Sequence, residues 1–237
     1  MVGIIILVVV AVAVAFGSLI GVYAYFSHKY KQTDYYKRKQ RSYLSLLFDK
    51  GAFGEYSLVR RLEKIEGFKR ILYNVYIPKT GEKTTEIDIL YMNTSGLFVL
   101  ESKNRGGRFY GNQNSRNWTQ YIGNQKYTVY NPIKQNEGHV RWLKNYLDDS
   151  SVPCYSYIVF GKSSESDIGK VTYDEKQCKV MYADDLVNNL NRDTERYGNI
   201  LSEARVETIY KSLYPFSEVS QELKDKHVQD IKSYTDE

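Results

Sequence analysis

The sequence predicts an α/β domain that follows one N-terminal membrane-spanning helix. Residues 1–26 contain no Lys, Arg, Asp, Glu or His. An apolar run of about 20 residues is enough to span the hydrocarbon core of a bilayer as a helix. The rest of the chain alternates β-rich segments with segments whose apolar residues recur at helical spacing, which indicates an α/β fold.

A cleaved signal peptide is the alternative interpretation of residues 1–26. Such a peptide has a basic n-region and an apolar core of about 7–15 residues. Here no basic residue precedes the apolar run, and the run is longer than that core. The sequence therefore favours a membrane anchor.

Charge is concentrated next to this apolar run. Residues 27–41 hold six Lys or Arg and one Asp, so this segment has a net charge of +5. The formal net charge of the whole chain is also +5. Basic residues beside a membrane helix stay in the cytoplasm. We therefore expect a single-pass protein of the cell membrane, with its N-terminus outside and its C-terminal domain cytoplasmic. The remaining chain is neutral overall, which excludes the basic footprint of an indiscriminate nucleic-acid binder.

The predicted organisation has four parts. They are an anchor over 1–26, a basic juxtamembrane linker over 27–42, an α/β domain over 43–215 with a motif-bearing core over 51–160, and an acidic tail over 216–237 that frays or forms a loose helix. The two cysteines, Cys154 and Cys178, fit no zinc or redox spacing and indicate unpaired thiols in a reducing compartment.

Within the domain, local patterns predict the order of elements. Helical spacing covers 43–65, and Gly67 is a natural stop. Strands are expected over 70–77, 84–92, 96–104, 155–160 and 179–183, with a hairpin formed by 118–122 and 126–130. Pro132 opens a helix over 132–147, and two further helices follow, one beginning near 184 and one over 200–214.

One cluster of ionisable residues is the candidate site. Asp88 lies on one predicted strand, and Glu101 and Lys103 lie on the next, where their spacing of two puts them on the same face. If the two strands pair through the turn at 93–96, Asp88 meets Glu101 near one end of the sheet. An isolated Glu-x-Lys is ordinarily a solvated or ion-paired edge, but here the apolar run 97–100 precedes Glu101.

These residue types suit phosphodiester hydrolysis. Two carboxylates can hold a hard divalent cation such as Mg²⁺. The metal lowers the pKa of a bound water and polarises a phosphoryl oxygen. Lys103 can orient the water or offset developing negative charge.

The spacing of Asp88, Glu101 and Lys103 resembles the PD-(D/E)xK nuclease pattern, and the chain more narrowly resembles the NERD (nuclease-related) domain. The resemblance runs from Gly51 to about Leu147, and a strand continues it to Phe160. Several short segments carry it in order: Gly51 to Glu55, Glu86 to Leu90, Gly96 to Asn104, Gly106 and Gly107 with Trp118, and Asn131 to Gln135 followed by His139. The residue before Asp88 is Ile87, where the PD-(D/E)xK pattern has Pro.

This resemblance implies a restriction-endonuclease-like core, in which helices flank a mixed central sheet. It also implies Mg²⁺ or Mn²⁺ as cofactor, held by Asp88, Glu101 and Glu55, with Glu55 and Gln135 completing the catalytic set. His139, which shares a helix face with Gln135, is expected to support the site rather than act directly, and Trp118 is expected to pack in the core.

The predicted nucleic-acid contacts are basic residues near the motif. Residues 99–126 hold five cations against Glu101, and the predicted phosphate contacts among them are Arg105, Arg108 and Arg116. The 23 tyrosines are scattered along the sequence, and we assign them no function.

Three functions remain open. The first is a membrane-anchored, metal-dependent nuclease acting on DNA or RNA. The second is a non-catalytic module of the same fold that binds nucleic acid or protein. The third, a structural tether, has no need of clustered ionisable groups on a central strand.

Overall fold

The computed structural model describes residues 1–162 and 165–235, and side chains as far as Ile231. The chain forms two compact units, Met1–Phe53 and Gly54–Glu237.

The first unit contains the apolar helix α1 (Val2–Lys31) and two short helices, α2 (Asp34–Lys39) and α3 (Tyr43–Phe48). The 30 residues of α1 contain a window with a mean hydropathy of 3.0, none of which is buried, so α1 is long and apolar enough to cross a membrane. At its C-terminal end, the buried Tyr30 packs against Tyr36 and Tyr43 at ring-centroid distances of 5.3 and 5.5 Å.

The predicted helical segment over 43–65 is divided in two. α3 ends at Phe48, and the next helix begins at Lys50. The break occurs at Asp49, which has extended backbone angles and whose side chain accepts a hydrogen bond from the amide of Ala52 at 3.1 Å. That hydrogen bond is the main reason why the pKa of Asp49 is lowered. Asp favours such capping roles over helix interiors.

The remaining elements follow in chain order: α4 (Lys50–Leu62), β1 (Arg70–Pro78), β2 (Thr84–Asn93), β3 (Gly96–Lys103), β4 (Gly107–Asn112), β5 (Asn117–Ile122), β6 (Gln125–Tyr130), α5 (Pro132–Leu147), β7 (Cys154–Phe160), β8 (Ser166–Thr172), β9 (Cys178–Tyr182), α6 (Leu186–Tyr197), α7 (Glu203–Leu213) and α8 (Gln221–Thr235).

The main sheet has the strand order β1-β2-β3-β7-β9. β1, β2 and β3 are antiparallel neighbours, whereas β3, β7 and β9 run parallel. The parallel step from β3 to β7 needs a crossover, and α5 lies within it. The predicted mixed central sheet with flanking helices is therefore confirmed.

The apolar faces of α5 and α7 cover one part of this sheet. Leu143 of α5 and Val206 of α7 are fully buried in one cluster with Leu72, Leu90 and Val99 of the first three strands. These two helices therefore supply the partners for the continuous apolar runs of the central strands.

A second sheet has the order β6-β5-β4-β8. Phe109 and Trp118 of this sheet pack with Ile158 and Phe160 of β7 in one buried cluster, so the two sheets share a core. The predicted hairpin is β5–β6, and Trp118 is a packing residue as expected, since it is 1% exposed. The Trp118 indole donates to the carbonyl of Asn112.

Asn131 joins the start of α5 to the second sheet. Its side chain caps the helix by accepting from the amide of Ile133. Its Nδ2 donates to the carbonyls of Asn112, Gln113 and Ser115 at 2.7–3.1 Å. This residue therefore sets where α5 begins and, through it, which residues face β3.

Gly54 permits the close approach of α4 to the end of β3. A Cβ at this position would lie 2.5 Å from Cβ of Asn104. We expect Gly54→Ala to lower the free energy of unfolding by about 1–3 kcal/mol through overpacking, measured by thermal unfolding of the full chain in detergent. Gly138→Ala is the matched control, because it adds the same methyl group to a helix position with no heavy atom within 4 Å. It should leave the melting temperature unchanged or raise it; equal losses in both variants would contradict the packing argument.

Candidate active site

The site forms where β2 and β3 separate. Their pairing runs to Ile89 opposite Leu100, one residue short of Asp88 and Glu101. Beyond that point β3 remains paired with β7 as far as Lys103. The Asp88 Oδ2 atom accepts a hydrogen bond from the amide of Ser102 at 2.7 Å. The side chain of Asp88 thus satisfies a backbone amide of β3 at the point where β2 no longer pairs with it.

Glu101 is a buried charge with two partners. The residue is 1% exposed, and its Oε1 atom lies 2.6 Å from Nζ of Lys103. Its Oε2 atom lies 3.1 Å from Nε2 of His139, whose Nδ1 atom is 2.7 Å from Oγ1 of Thr85. Burial alone raises the pKa of Glu101, but Lys103 and His139 outweigh it and hold that pKa below its usual value.

Gln135 completes this group from α5. The Lys103 ammonium donates to Oε1 of Gln135 at 3.1 Å. Gln135 and His139 are four residues apart and so lie on one face of the helix, above Lys103 and Glu101. The structure thus brings together three of the predicted site residues, Glu101, Lys103 and Gln135, and gives His139 the supporting position expected of it.

Glu55 reaches the same region from α4 through Asn74. The side-chain amide of Asn74 donates to Oε2 of Glu55 at 3.1 Å and to Oε1 of Glu86 at 2.9 Å. Neither Asn74 nor Glu86 was predicted as a site residue. A signal was present in the sequence, because Asn is depleted in strands yet lies in the middle of β1.

Asn74 also has an unusual backbone. Its φ of 51° is in the left-handed region, and the β1–β2 pairing passes over it, from Tyr73 opposite Ile89 to Val75 opposite Ile87. The position passed over on β2 is Asp88. Asn tolerates this conformation better than most residues, which explains its presence where a β-branched residue would otherwise fit.

Negative charge is crowded at this end of the sheet. The pKa of Asp88 is raised well above its usual value, first by burial and then by Glu101 and Glu55; Lys103 and the Ser102 amide only partly offset this. The pKa of Tyr76 is also raised, by burial and by Glu86. Asp88 therefore lies close enough to Glu101 and Glu55 for their negative charges to disfavour its ionisation.

The C-terminal helix reaches the same end of the sheet. His227 of α8 is 6% exposed; its Nδ1 atom lies 3.0 Å from Oγ1 of Thr84, and its ring meets Tyr76 edge-on at 5.4 Å. Burial is the main reason why the pKa of His227 is lowered. This part of the predicted tail is an ordered helix because His227 gives it a buried contact.

The donor set suits a hard divalent cation, although the ligands are not pre-assembled. Among residues 1–162 and 165–231, no three His, Cys, Asp or Glu side chains are arranged to hold a metal. Glu101 is engaged by Lys103 and His139, and Asp88 by Ser102. Carboxylate oxygens are nevertheless what Mg²⁺ prefers, and a cation would relieve the repulsion that raises the pKa of Asp88.

The predicted phosphate-binding arginines are exposed and belong to the second sheet and the loops that precede its strands. Arg105 precedes β4, Arg108 lies on β4, and Arg116 precedes β5. Arg108 lies over the ring of Tyr121 at 5.9 Å. Arg105 and Arg108 follow Lys103 closely in sequence, whereas Arg116 lies farther along the chain.

The fold and site define an α/β domain with an acidic, lysine-containing centre at the end of two separating strands. Residues 50–161 match the family model of the nuclease-related domain, NERD. This match confirms the resemblance seen in the sequence.

A curated relative matches over a longer range. An uncharacterized protein of Bacillus anthracis is 29% identical over 182 residues, which cover 76% of this chain and 82% of the relative. No solved structure matches the chain significantly.

The raised pKa of Asp88, caused first by burial and then by its acidic neighbours, predicts that Asp88→Asn stabilises the metal-free protein near pH 7. A carboxyl whose pKa is raised by folding favours the folded state below its unfolded-state pKa, and this contribution is lost as pH rises through the raised value. The amide removes that loss and still accepts from Ser102. The melting temperature in EDTA should therefore rise at pH 7, and the gain should shrink towards pH 4. The exposed Glu137→Gln is the control and should show neither effect; a lower melting temperature for Asp88→Asn at pH 7 would contradict the prediction.

Proposed function

We propose that this protein is a membrane-anchored nuclease that hydrolyses phosphodiester bonds in DNA or RNA with the help of Mg²⁺ or Mn²⁺. The main support is one set of contacts: Lys103 is held between Glu101 and Gln135, at 2.6 and 3.1 Å, next to Asp88. A lysine that is fixed in this way, beside two acidic residues at the end of a sheet, has the elements needed for phosphoryl chemistry.

Each residue has a distinct role in this proposal. Asp88, Glu101 and Glu55 would hold the cation. The cation would supply charge neutralisation on a phosphoryl oxygen and lower the pKa of a water. Lys103 would donate to a phosphate oxygen or orient the water, and Gln135 would keep its ammonium in place. His139 would fix the orientation of Glu101, and Asn74 that of Glu55.

Substrate contact would involve Arg105, Arg108 and Arg116. Their exposure leaves them accessible to phosphates, and phosphate contacts supply most of the sequence-independent affinity for nucleic acid. Both DNA and RNA therefore belong among the substrates to be tested.

The binding-module hypothesis has one observation in its favour. Both oxygens of Glu101 already have partners, so a metal would share these oxygens with Lys103 and His139. A protein that binds nucleic acid without cutting it would make this the better interpretation.

Catalysis tests the proposal directly. The full chain in detergent should cleave labelled DNA or RNA only when Mg²⁺ or Mn²⁺ is present. Lys103→Ala should lower turnover on the order of a hundredfold, without rescue by added metal, because it removes a preorganised charge. Glu101→Gln should also lose activity but recover part of it at high metal concentration, because it weakens a ligand.

Matched controls separate these effects from unfolding. Lys176→Ala removes an exposed lysine of the same domain and should retain full activity. Melting temperatures should show that each variant is folded. Wild-type protein that cuts neither single-stranded nor duplex DNA or RNA with either metal would overturn the nuclease proposal.

We further propose that α1 is a membrane anchor that leaves the domain in the cytoplasm. The support is the absence of charge over residues 1–26 and the basic residues that follow. In intact cells, protease added from outside should leave the domain whole, whereas permeabilised cells should lose it. Digestion in intact cells would overturn the orientation, and a soluble chain lacking α1 would support a cleaved signal peptide.

A further inference from the structure

The outer face of the second sheet combines aromatic and basic side chains. Strand alternation puts Phe109 and Trp118 in the shared core, and their neighbours on the opposite face. The register places residues of that outer face side by side on adjacent strands: Lys126, Tyr121 and Arg108 form one row, and Thr128, Thr119, Tyr110 and Lys170 form the next. We call the surface that these two rows form the outer face of the second sheet.

The aromatic residues of this face are exposed or half-buried. Tyr110 is 37% exposed and Tyr121 is half-buried. Tyr130, two residues beyond Thr128 on β6, is 51% exposed. Tyr110 and Tyr121 meet edge-to-face at 5.6 Å, which fixes their rings relative to each other. Tyrosines that looked scattered in the sequence therefore form an ordered aromatic group on one surface.

The charge of this face is positive. Arg108, Lys126 and Lys170 are exposed on three different strands, and the acidic residue beside them in register is Asp167. Arg108 also lies over the Tyr121 ring at 5.9 Å, as expected of a cation–π pair. Aromatic rings flanked by cations complement bases that are attached to phosphates.

The face lies close to the candidate active site along the chain. β4 begins at Gly107, four residues after Lys103. A segment of five residues spans at most about 18 Å, so Arg108 cannot be far from Lys103. The outer face therefore begins within a short distance of the candidate active site.

We propose that the outer face of the second sheet binds single-stranded nucleic acid, with bases stacking on Tyr110 and Tyr121 and with Arg108, Lys126 and Lys170 contacting phosphates. The inference rests on the proposed function and narrows its substrate to single strands. Stacking needs bases that are not already stacked in a helix, and sheets with exposed aromatic rings meet that need. A duplex would offer this face only its phosphates.

Binding of oligonucleotides to the full chain in detergent tests this inference. Fluorescence anisotropy is measured in EDTA, where metal-dependent cleavage cannot occur, with a labelled single-stranded DNA, a single-stranded RNA and the matching DNA duplex. At least one single strand should bind more tightly than the duplex. Tyr110→Leu with Tyr121→Leu should weaken single-strand binding by about tenfold or more. The corresponding Phe pair should bind like wild type, because it keeps the rings.

The cations provide a second measurement that does not depend on the tyrosine variants being folded. Lys126→Ala with Lys170→Ala should reduce the slope of log K against log salt by about 0.7 for each cation removed. Lys211→Ala on α7, whose side chain is 74% exposed, is the matched control and should leave the slope unchanged.

The outcomes separate this inference from the nuclease proposal. Loss of binding in the Leu pair but not the Phe pair supports the inference, even if the wild type proves unable to cut. Unchanged binding in the Leu and Lys variants, or tighter binding of the duplex, overturns it even if the protein cuts nucleic acid. Binding by a protein partner rather than by any oligonucleotide would likewise overturn it.

Discussion

The burial of the Glu101 carboxylate is the constraint on which the site depends. A charge at this depth loses several kcal/mol of hydration, and only close partners repay that loss. Lys103 supplies one partner from the same strand and His139 supplies the other from α5. These contacts fix where α5 crosses β3 and how α5 is rotated about its own axis. The position of the Gln135 side chain follows from that rotation.

Other contacts hold α5 in the same position. Asn136, fully buried between Gln135 and His139 in sequence, donates to the carbonyl of Val99 at 2.8 Å and to Oγ of Ser156 at 2.9 Å. It thereby ties the helix to both β3 and β7. Together with the cap at Asn131, these polar contacts specify the register of the helix more narrowly than its apolar face could.

The sequence allowed much of the main sheet to be predicted, for reasons that individual residues make clear. β2 and β3 were predictable because alternation and a Gly-containing turn are local signals, and α5 because Asn131 and Pro132 mark its start. β4 and β8 were not predicted, since glycines interrupt both and their pairing is parallel and distant in sequence. In the site, alternation placed Glu101 beside Lys103, but the contact with Gln135 depends on the rotation of α5, which the family resemblance implied and strand spacing did not. Asn74 was missed because its role depends on a left-handed backbone that no periodic pattern reveals.

Asn74 carries a consequence for how the protein balances stability against activity. A left-handed residue inside a strand gives up regular pairing and holds strain of order 1–3 kcal/mol. A β-branched residue with extended backbone angles would restore the ladder beside Asp88. β1 instead carries an amide at this position, which contacts Glu55 and Glu86. The edge strand β1 is thus less stable than a regularly paired strand would be, and the residue that weakens it also holds the side chains of Glu55 and Glu86 together.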